Sequence, residues 1–128
     1  MADNPEPLKI LLAEDNPVNQ RVIQAMLLRQ GHIIEIVENG ALALAAVAAG
    51  NYDAVLMDIH MPEMDGLTAT KEIRALEGRA GSIPIIAVTA NAVRGDREKC
   101  LDAGMDDYVA KPVNPDLLDA AITIQSSK

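Results

Sequence analysis

The feature that most constrains this chain is a short apolar run that ends in an acid. Residues 54–57 read Ala-Val-Leu-Met, and Asp58 follows directly. An apolar run of this length without polar alternation is typical of a strand buried on both faces, as in a parallel sheet. Ligands of open α/β sheets bind beyond the carboxyl ends of the strands, so the pattern would place Asp58 at a binding edge.

Strands and helices are predicted to alternate along the rest of the chain. Further strands are expected at residues 8–13, 32–37, 83–88 and 106–109. Helices are expected from Asn16-Pro17 to Gly31, from Asn39-Gly40 to Ala49, over residues 67–76 after an Asp65 cap, from Gly95-Asp96 to Gly104, and from Asn114-Pro115 to about Gln125. Asn and Asp are favoured caps, and Pro fits the first helical position.

This alternation predicts an α/β fold, a doubly wound five-stranded parallel sheet with right-handed crossovers. Glu35 interrupts the second strand and the fifth is short and polar, so both belong at the edges. The resulting strand order is 2-1-3-4-5, the flavodoxin-like arrangement. Val22, Ile23, Met26 and Leu27 are predicted to form the apolar stripe of the first helix.

Length and composition narrow the class of protein further. With 128 residues the chain forms one domain, predicted over residues 8–125 between a flexible tail at 1–7 and a tail at 126–128. A net charge of −8 and only two aromatic residues, both Tyr, argue against direct nucleic-acid binding. There is one cysteine, no signal peptide and no apolar run long enough for membrane insertion, so a cytoplasmic location is expected.

Chemically active residues follow four of the predicted strands. Glu14 and Asp15 follow the first strand, Asp58 the third, Thr89 the fourth and Lys111 the fifth. Three neighbouring carboxylates repel one another unless a cation relieves the repulsion, and Mg²⁺ prefers such oxygen ligands. A cation, an ammonium group and a hydroxyl around one carboxylate suit phosphoryl transfer to that carboxylate.

The same landmarks resemble the receiver domain of two-component response regulators, the CheY-like domains. They are Glu14-Asp15, Val55-Leu56-Met57-Asp58, Met61-Pro62 with Asp65-Gly66, Thr89-Ala90, Gly104-Met105-Asp106-Asp107-Tyr108 and Lys111-Pro112. The resemblance covers roughly residues 8–124, and the sequences of these motifs are most similar to those of receivers of hybrid sensor histidine kinases. It implies a phosphorelay function in which a histidine kinase or a histidine phosphotransfer domain is the partner.

The resemblance also implies residue roles. Asp58 would accept the phosphoryl group, while Thr89 and Lys111 would bind its oxygens. Mg²⁺ (or Mn²⁺) would be bound by Asp15, Asp58 and the backbone carbonyl of His60, and by Glu14 through water.

A switch and an output surface are implied as well. Tyr108 would turn inward as Thr89 moves toward the phosphoryl group, although simple packing at the edge strand is an equal alternative. The Lys111-Pro112 bond would be cis. The face made by the fourth helix, fifth strand and fifth helix would carry the output and could form a homodimer.

Two residues are hypothesised to tune the lifetime of the phosphoryl group, His60 and Asn91. His60 lies two positions after Asp58, where an ordinary exposed histidine is the simpler interpretation. Three other functions stay open beside the receiver: an aspartyl-phosphate phosphatase, a flavin-binding electron carrier, and a receiver that docks without phosphorylation. Both a free-standing regulator and a receiver cut from a hybrid kinase are compatible with the sequence.

Overall fold

The computed structural model describes residues 7–89 and 96–126, with strands and helices alternating throughout. The strands are β1 (Lys9–Ala13), β2 (Ile33–Val37), β3 (Ala54–Asp58), β4 (Ile85–Thr89) and β5 (Asp107–Ala110). The helices are α1 (Pro17–Arg29), α2 (Gly40–Ala49), α3 (Gly66–Arg74), α4 (Asp96–Ala103) and α5 (Pro115–Ser126), with a 3-10 helix at Gly78–Ser82.

The strands form one parallel sheet in the order β2-β1-β3-β4-β5, which confirms the predicted topology. Every residue of β3 and β4 is buried. The edge strands β2 and β5 both expose part of their residues, as their polar composition predicts. The apolar strands therefore occupy the middle of the sheet because only there are both faces covered.

Two apolar layers sandwich the sheet, and alternate residues of each central strand point into opposite layers. Leu11 and Val55 join the layer beneath α2, α3 and α4. Leu12 and Leu56 join the layer beneath α1 and α5. With side chains locked on both faces, the sheet is a rigid base for the loops at its carboxyl edge.

Most helix ends follow the predicted signals. Asn16 caps α1 by accepting from the N–H groups of Val18 and Asn19, and Asp65 caps α3 by accepting from Thr68. Gly31 follows α1 with a φ of 90°, a left-handed conformation that glycine adopts at low cost.

Some details of the prediction are wrong. Helix α3 ends at Arg74 rather than Leu76, and the connection predicted after it contains the 3-10 helix. Val22 does not belong to the buried stripe of α1, since 45% of it is exposed, whereas Ile23 and Leu27 are buried. The buried face is centred on Ile23 and Leu27, which are four residues apart and so lie on the same side of the helix. Val22 precedes this pair by one residue, and the helical rotation between successive residues turns its side chain toward solvent.

Within the described residues, none of the helices has the length and apolarity to cross a membrane.

Candidate functional site

Strand register brings the predicted site residues to one edge of the sheet. Ala13 of β1 pairs with Met57 of β3, so the residues that follow them, Glu14 and Asp58, stand side by side. Asp58 pairs in turn with Val88, next to Thr89. Thr89 pairs with Ala110, which immediately precedes Lys111. Because parallel strands end at the same edge, the strand order and register produce this cluster.

The three acids lie close enough to share a cation. Glu14, Asp15 and Asp58 each offer a carboxylate oxygen within 4.8 Å of the others. Glu14 is only 1% exposed and Asp58 only 4%, while Asp15 is exposed. Two of the three carboxylates are thus removed from water, and burying a carboxylate without a partner is costly.

Lys111 supplies a positive charge to both buried acids. Its Nζ lies 2.9 Å from Glu14 Oε1 and 3.2 Å from Asp58 Oδ2. Burial by itself would lower the pKa of Lys111, but hydrogen bonding to Glu14 and the charge of Asp58 outweigh it, so its pKa is raised. Lys111 therefore stays an ammonium group, ready to bind an anion at this edge.

The remaining oxygens of the cluster test whether Mg²⁺ fits. Glu14 Oε2 accepts from the N–H of Asn16 at 3.1 Å, and Asp58 Oδ1 accepts from the N–H of His60 at 3.3 Å. Glu14 Oε1 is buried and lies 2.9 Å from the Lys111 ammonium. Three carboxylates with oxygens within 4.8 Å of one another form an all-oxygen set, which fits a partly hydrated Mg²⁺.

The other predicted residues have different surroundings. Thr89 is fully buried at the end of β4, and Tyr108 is half-buried in β5. His60 is exposed, and its backbone N–H donates to Asp58. The Lys111-Pro112 bond is cis, as predicted. Asn91 lies outside the described residues.

One contact of the site is missing from the sequence-based prediction. Gln20 of α1 donates from Nε2 to the backbone carbonyl of Glu14 at 2.6 Å. It follows the Asn16 cap by four residues, and helical side chains lean toward the N-terminus of their helix. That direction is a weak signal, since it does not show which loop atom a glutamine would reach.

Together the fold and the site define a doubly wound α/β phosphoacceptor domain. Comparison with known families gives the same result, because residues 10–123 match the response regulator receiver domain. The chain belongs to that family.

The relatives include receivers of large sensor kinases. The chain is 48% identical over 128 residues to hybrid signal transduction histidine kinase I of Dictyostelium discoideum, covering 95% of this chain and 7% of that protein. The chain thus spans only a small part of such relatives.

Solved structures of receiver domains have the same fold as this chain. The receiver domain of sensor histidine kinase PA1611 from Pseudomonas aeruginosa PAO1, described with a magnesium ion coordinated in its active site cleft, is 47% identical with a TM-score of 0.89. That match covers 96% of this chain and 100% of the other. The receiver domain of Ssk1 from Saccharomyces cerevisiae, solved with the histidine phosphotransfer protein Ypd1, is 29% identical with a TM-score of 0.86, covering 94% and 90%.

Proposed function

We propose that Asp58 is the phosphoacceptor of this receiver domain and takes its phosphoryl group from a phosphohistidine. The observation that carries this proposal is a buried carboxylate at the end of the central strand with an ammonium group 3.2 Å away. In the transfer, a carboxylate oxygen of Asp58 forms a bond to phosphorus as the P–N bond breaks. The electron pair of that bond returns to the departing imidazole.

The acids around Asp58 would hold Mg²⁺. Asp15, Asp58 and the backbone carbonyl of His60 would bind it directly, and Glu14 would bind through water; Mn²⁺ could replace it. When bound, the cation neutralises charge on the transferring phosphoryl oxygens. The burial of Glu14 and Asp58 supports this proposal because it excludes much of the competing water.

Lys111 and Thr89 would bind the phosphoryl oxygens once transfer is complete. Lys111 is already directed at Asp58, and Thr89 is the last residue of the adjacent strand. Tyr108, one strand further, would turn inward in response. Leu117 and Ile124 of α5 are 63% and 55% exposed, which supports a homodimer through α4, β5 and α5.

A histidine kinase or histidine phosphotransfer domain would be the donor. Val18 and Val22 of α1 are 66% and 45% exposed, and α1 begins directly after the acidic loop. A partner that brings an imidazole to Asp58 would bury this apolar surface. We further propose that the chain is the receiver of a cytoplasmic hybrid kinase, folded over residues 8–125.

Intact-mass spectrometry after incubation with acetyl phosphate tests the central proposal. One phosphoryl adduct is expected on the wild type with Mg²⁺ and none after chelation with EDTA. The Asp58→Asn variant should gain no adduct, whereas Asp102→Asn, a matched change at an exposed acid of α4, should behave like the wild type.

Each contrary outcome has a definite meaning. An adduct on Asp58→Asn would refute the assignment of the phosphoacceptor. No adduct on any variant, including after incubation with a phosphorylated histidine phosphotransfer domain, would favour a receiver that docks without phosphorylation.

The decay of the adduct tests the residues proposed to tune its lifetime. His60→Ala and Asn91→Ala should each change the hydrolysis rate measured by the same mass assay. Rates equal to that of the wild type would remove the tested residue from this role. The exposure of His60 beside Asp58 supports its inclusion, because a hydrolytic water would approach from solvent.

A further inference from the structure

The backbone of the acidic loop is held from two sides. The N–H of Glu14 donates to the carbonyl of Val37 at 3.0 Å, which ties the loop to the end of β2. Its carbonyl accepts the 2.6 Å hydrogen bond from the side chain of Gln20. Gln20 is itself fixed in the first turns of α1, where its backbone N–H donates to the carbonyl of Asn16 at 2.9 Å. The loop is therefore braced between a strand and a helix.

The braced carbonyl belongs to the peptide unit that leads into Asp15. A peptide unit is planar, so a hydrogen bond that orients its carbonyl also orients the N–H and Cα on its other side. Asp15 is exposed, unlike Glu14 and Asp58, so less of its surface is restrained by packing. The backbone that precedes Asp15 consequently sets the position of the Cα from which its carboxylate reaches the other acids.

We infer that Gln20 is a positioning residue for the metal site, acting on Asp15 through the Glu14 carbonyl. This inference rests on the proposed role of Asp15 as a direct ligand of the cation. Gln20 itself neither binds the cation nor contacts the phosphoryl group. Residues that orient metal ligands commonly contribute 10- to 100-fold to metal affinity, and roughly tenfold is expected for this single hydrogen bond.

Gln20→Met is the informative variant because it keeps the length of the side chain and removes the donor. Gln24→Met, one helical turn later on α1, is the matched control: Gln24 is also half-buried. Mn²⁺ binding is measured on metal-free protein from the loss of the free-ion signal in electron paramagnetic resonance. The dissociation constant should rise roughly tenfold in Gln20→Met and stay unchanged in Gln24→Met.

A second readout separates positioning from general damage. With acetyl phosphate as donor, the Mg²⁺ concentration that gives half the maximal phosphorylation rate should rise in Gln20→Met. The rate at saturating Mg²⁺ should return to near the wild-type value, because excess cation compensates for a poorly oriented ligand. A loss of rate that saturating Mg²⁺ does not restore would overturn the inference.

Asp15→Ala distinguishes failure of this inference from failure of the proposed function. If Asp15→Ala weakens Mn²⁺ binding while Gln20→Met does not, Gln20 has no positioning role and the metal site stands. If neither variant changes Mn²⁺ binding, the proposed metal site is refuted together with the role of Gln20. Equal weakening in Gln20→Met and Gln24→Met would show a general effect on α1 and would also overturn the inference.

Discussion

Replacing Lys111 by methionine should destabilise the metal-free domain. The Lys111 ammonium lies 2.9 Å from Glu14 and 3.2 Å from Asp58, both of them buried carboxylates. Removing one partner from a buried ion pair typically costs 3–5 kcal/mol, since the other charge is left without compensation. The side chain of Lys111 is 17% exposed, so we expect the lower end, about 3 kcal/mol at pH 7.

The loss should depend on pH in a defined direction. Because the pKa of Lys111 is raised, its contribution is fully present below the ordinary lysine value, about 10.5, and is lost only as the pH rises through the folded-state value. The parent protein therefore keeps the contribution throughout the neutral range.

Urea unfolding followed by far-ultraviolet circular dichroism measures this difference, and it suits a chain that contains no tryptophan. With a denaturant slope of about 2 kcal/mol per molar, a loss of about 3 kcal/mol shifts the midpoint by about 1.5 M. Lys99→Met is the control, since Lys99 is exposed on α4 and its replacement should change stability by no more than about 0.5 kcal/mol.

Two results would refute this reasoning. One is an unchanged midpoint for Lys111→Met at pH 7 in EDTA, and the other is a loss of stability in Lys99→Met as large as the loss in Lys111→Met. Adding Mg²⁺ should stabilise Lys111→Met more than the parent, because the cation then replaces the missing ammonium.

Two further predictions concern structural residues. The hydrogen bond to Glu35 raises the pKa of Tyr52 to about 12. The stability advantage of the wild type over Tyr52→Phe should therefore be intact below about pH 10 and should disappear as the pH rises through about 12. An advantage that persists at higher pH in urea titrations would contradict this. Arg74 donates to the carbonyls of Gly104 at 2.8 Å and Ile83 at 2.7 Å. Arg74→Met should lower the free energy of unfolding by about 2 kcal/mol, because these partly buried carbonyls lose their donor. A change under about 0.5 kcal/mol by the same method would show that water satisfies the two carbonyls.

The sheet and the site cluster could be predicted because both depend on positions along the strands. The apolar runs of β3 and β4 indicated burial on both faces, and Glu35 indicated an edge. Once the strand order is known, parallel geometry takes each residue that follows a strand to the same edge. The convergence of Asp58 and Lys111 was therefore predictable without any knowledge of side-chain directions.

The contacts that brace the site could not be predicted in this way. Which turn atom Gln20 reaches, and that Val22 faces solvent, depend on how α1 is rotated against the sheet. The apolar residues of α1 allow more than one rotation, and packing against β1 and β2 selects one. Arg74, the last residue of α3, likewise bonds through its side chain to segments 7 to 30 residues away along the chain, and the local sequence does not show these contacts.

The buried acids themselves indicate selection for chemistry over stability. Glu14 and Asp58 are nearly inaccessible, and Lys111 compensates for their charges. Apolar residues of similar volume commonly stabilise a fold as well as a buried ion cluster or better, by up to about 4 kcal/mol. A domain that needed only a stable edge would do better with such residues at these positions. The cluster is consistent with the proposed function, in which Asp58 is an anionic nucleophile beside a cation site and accepts a phosphoryl group.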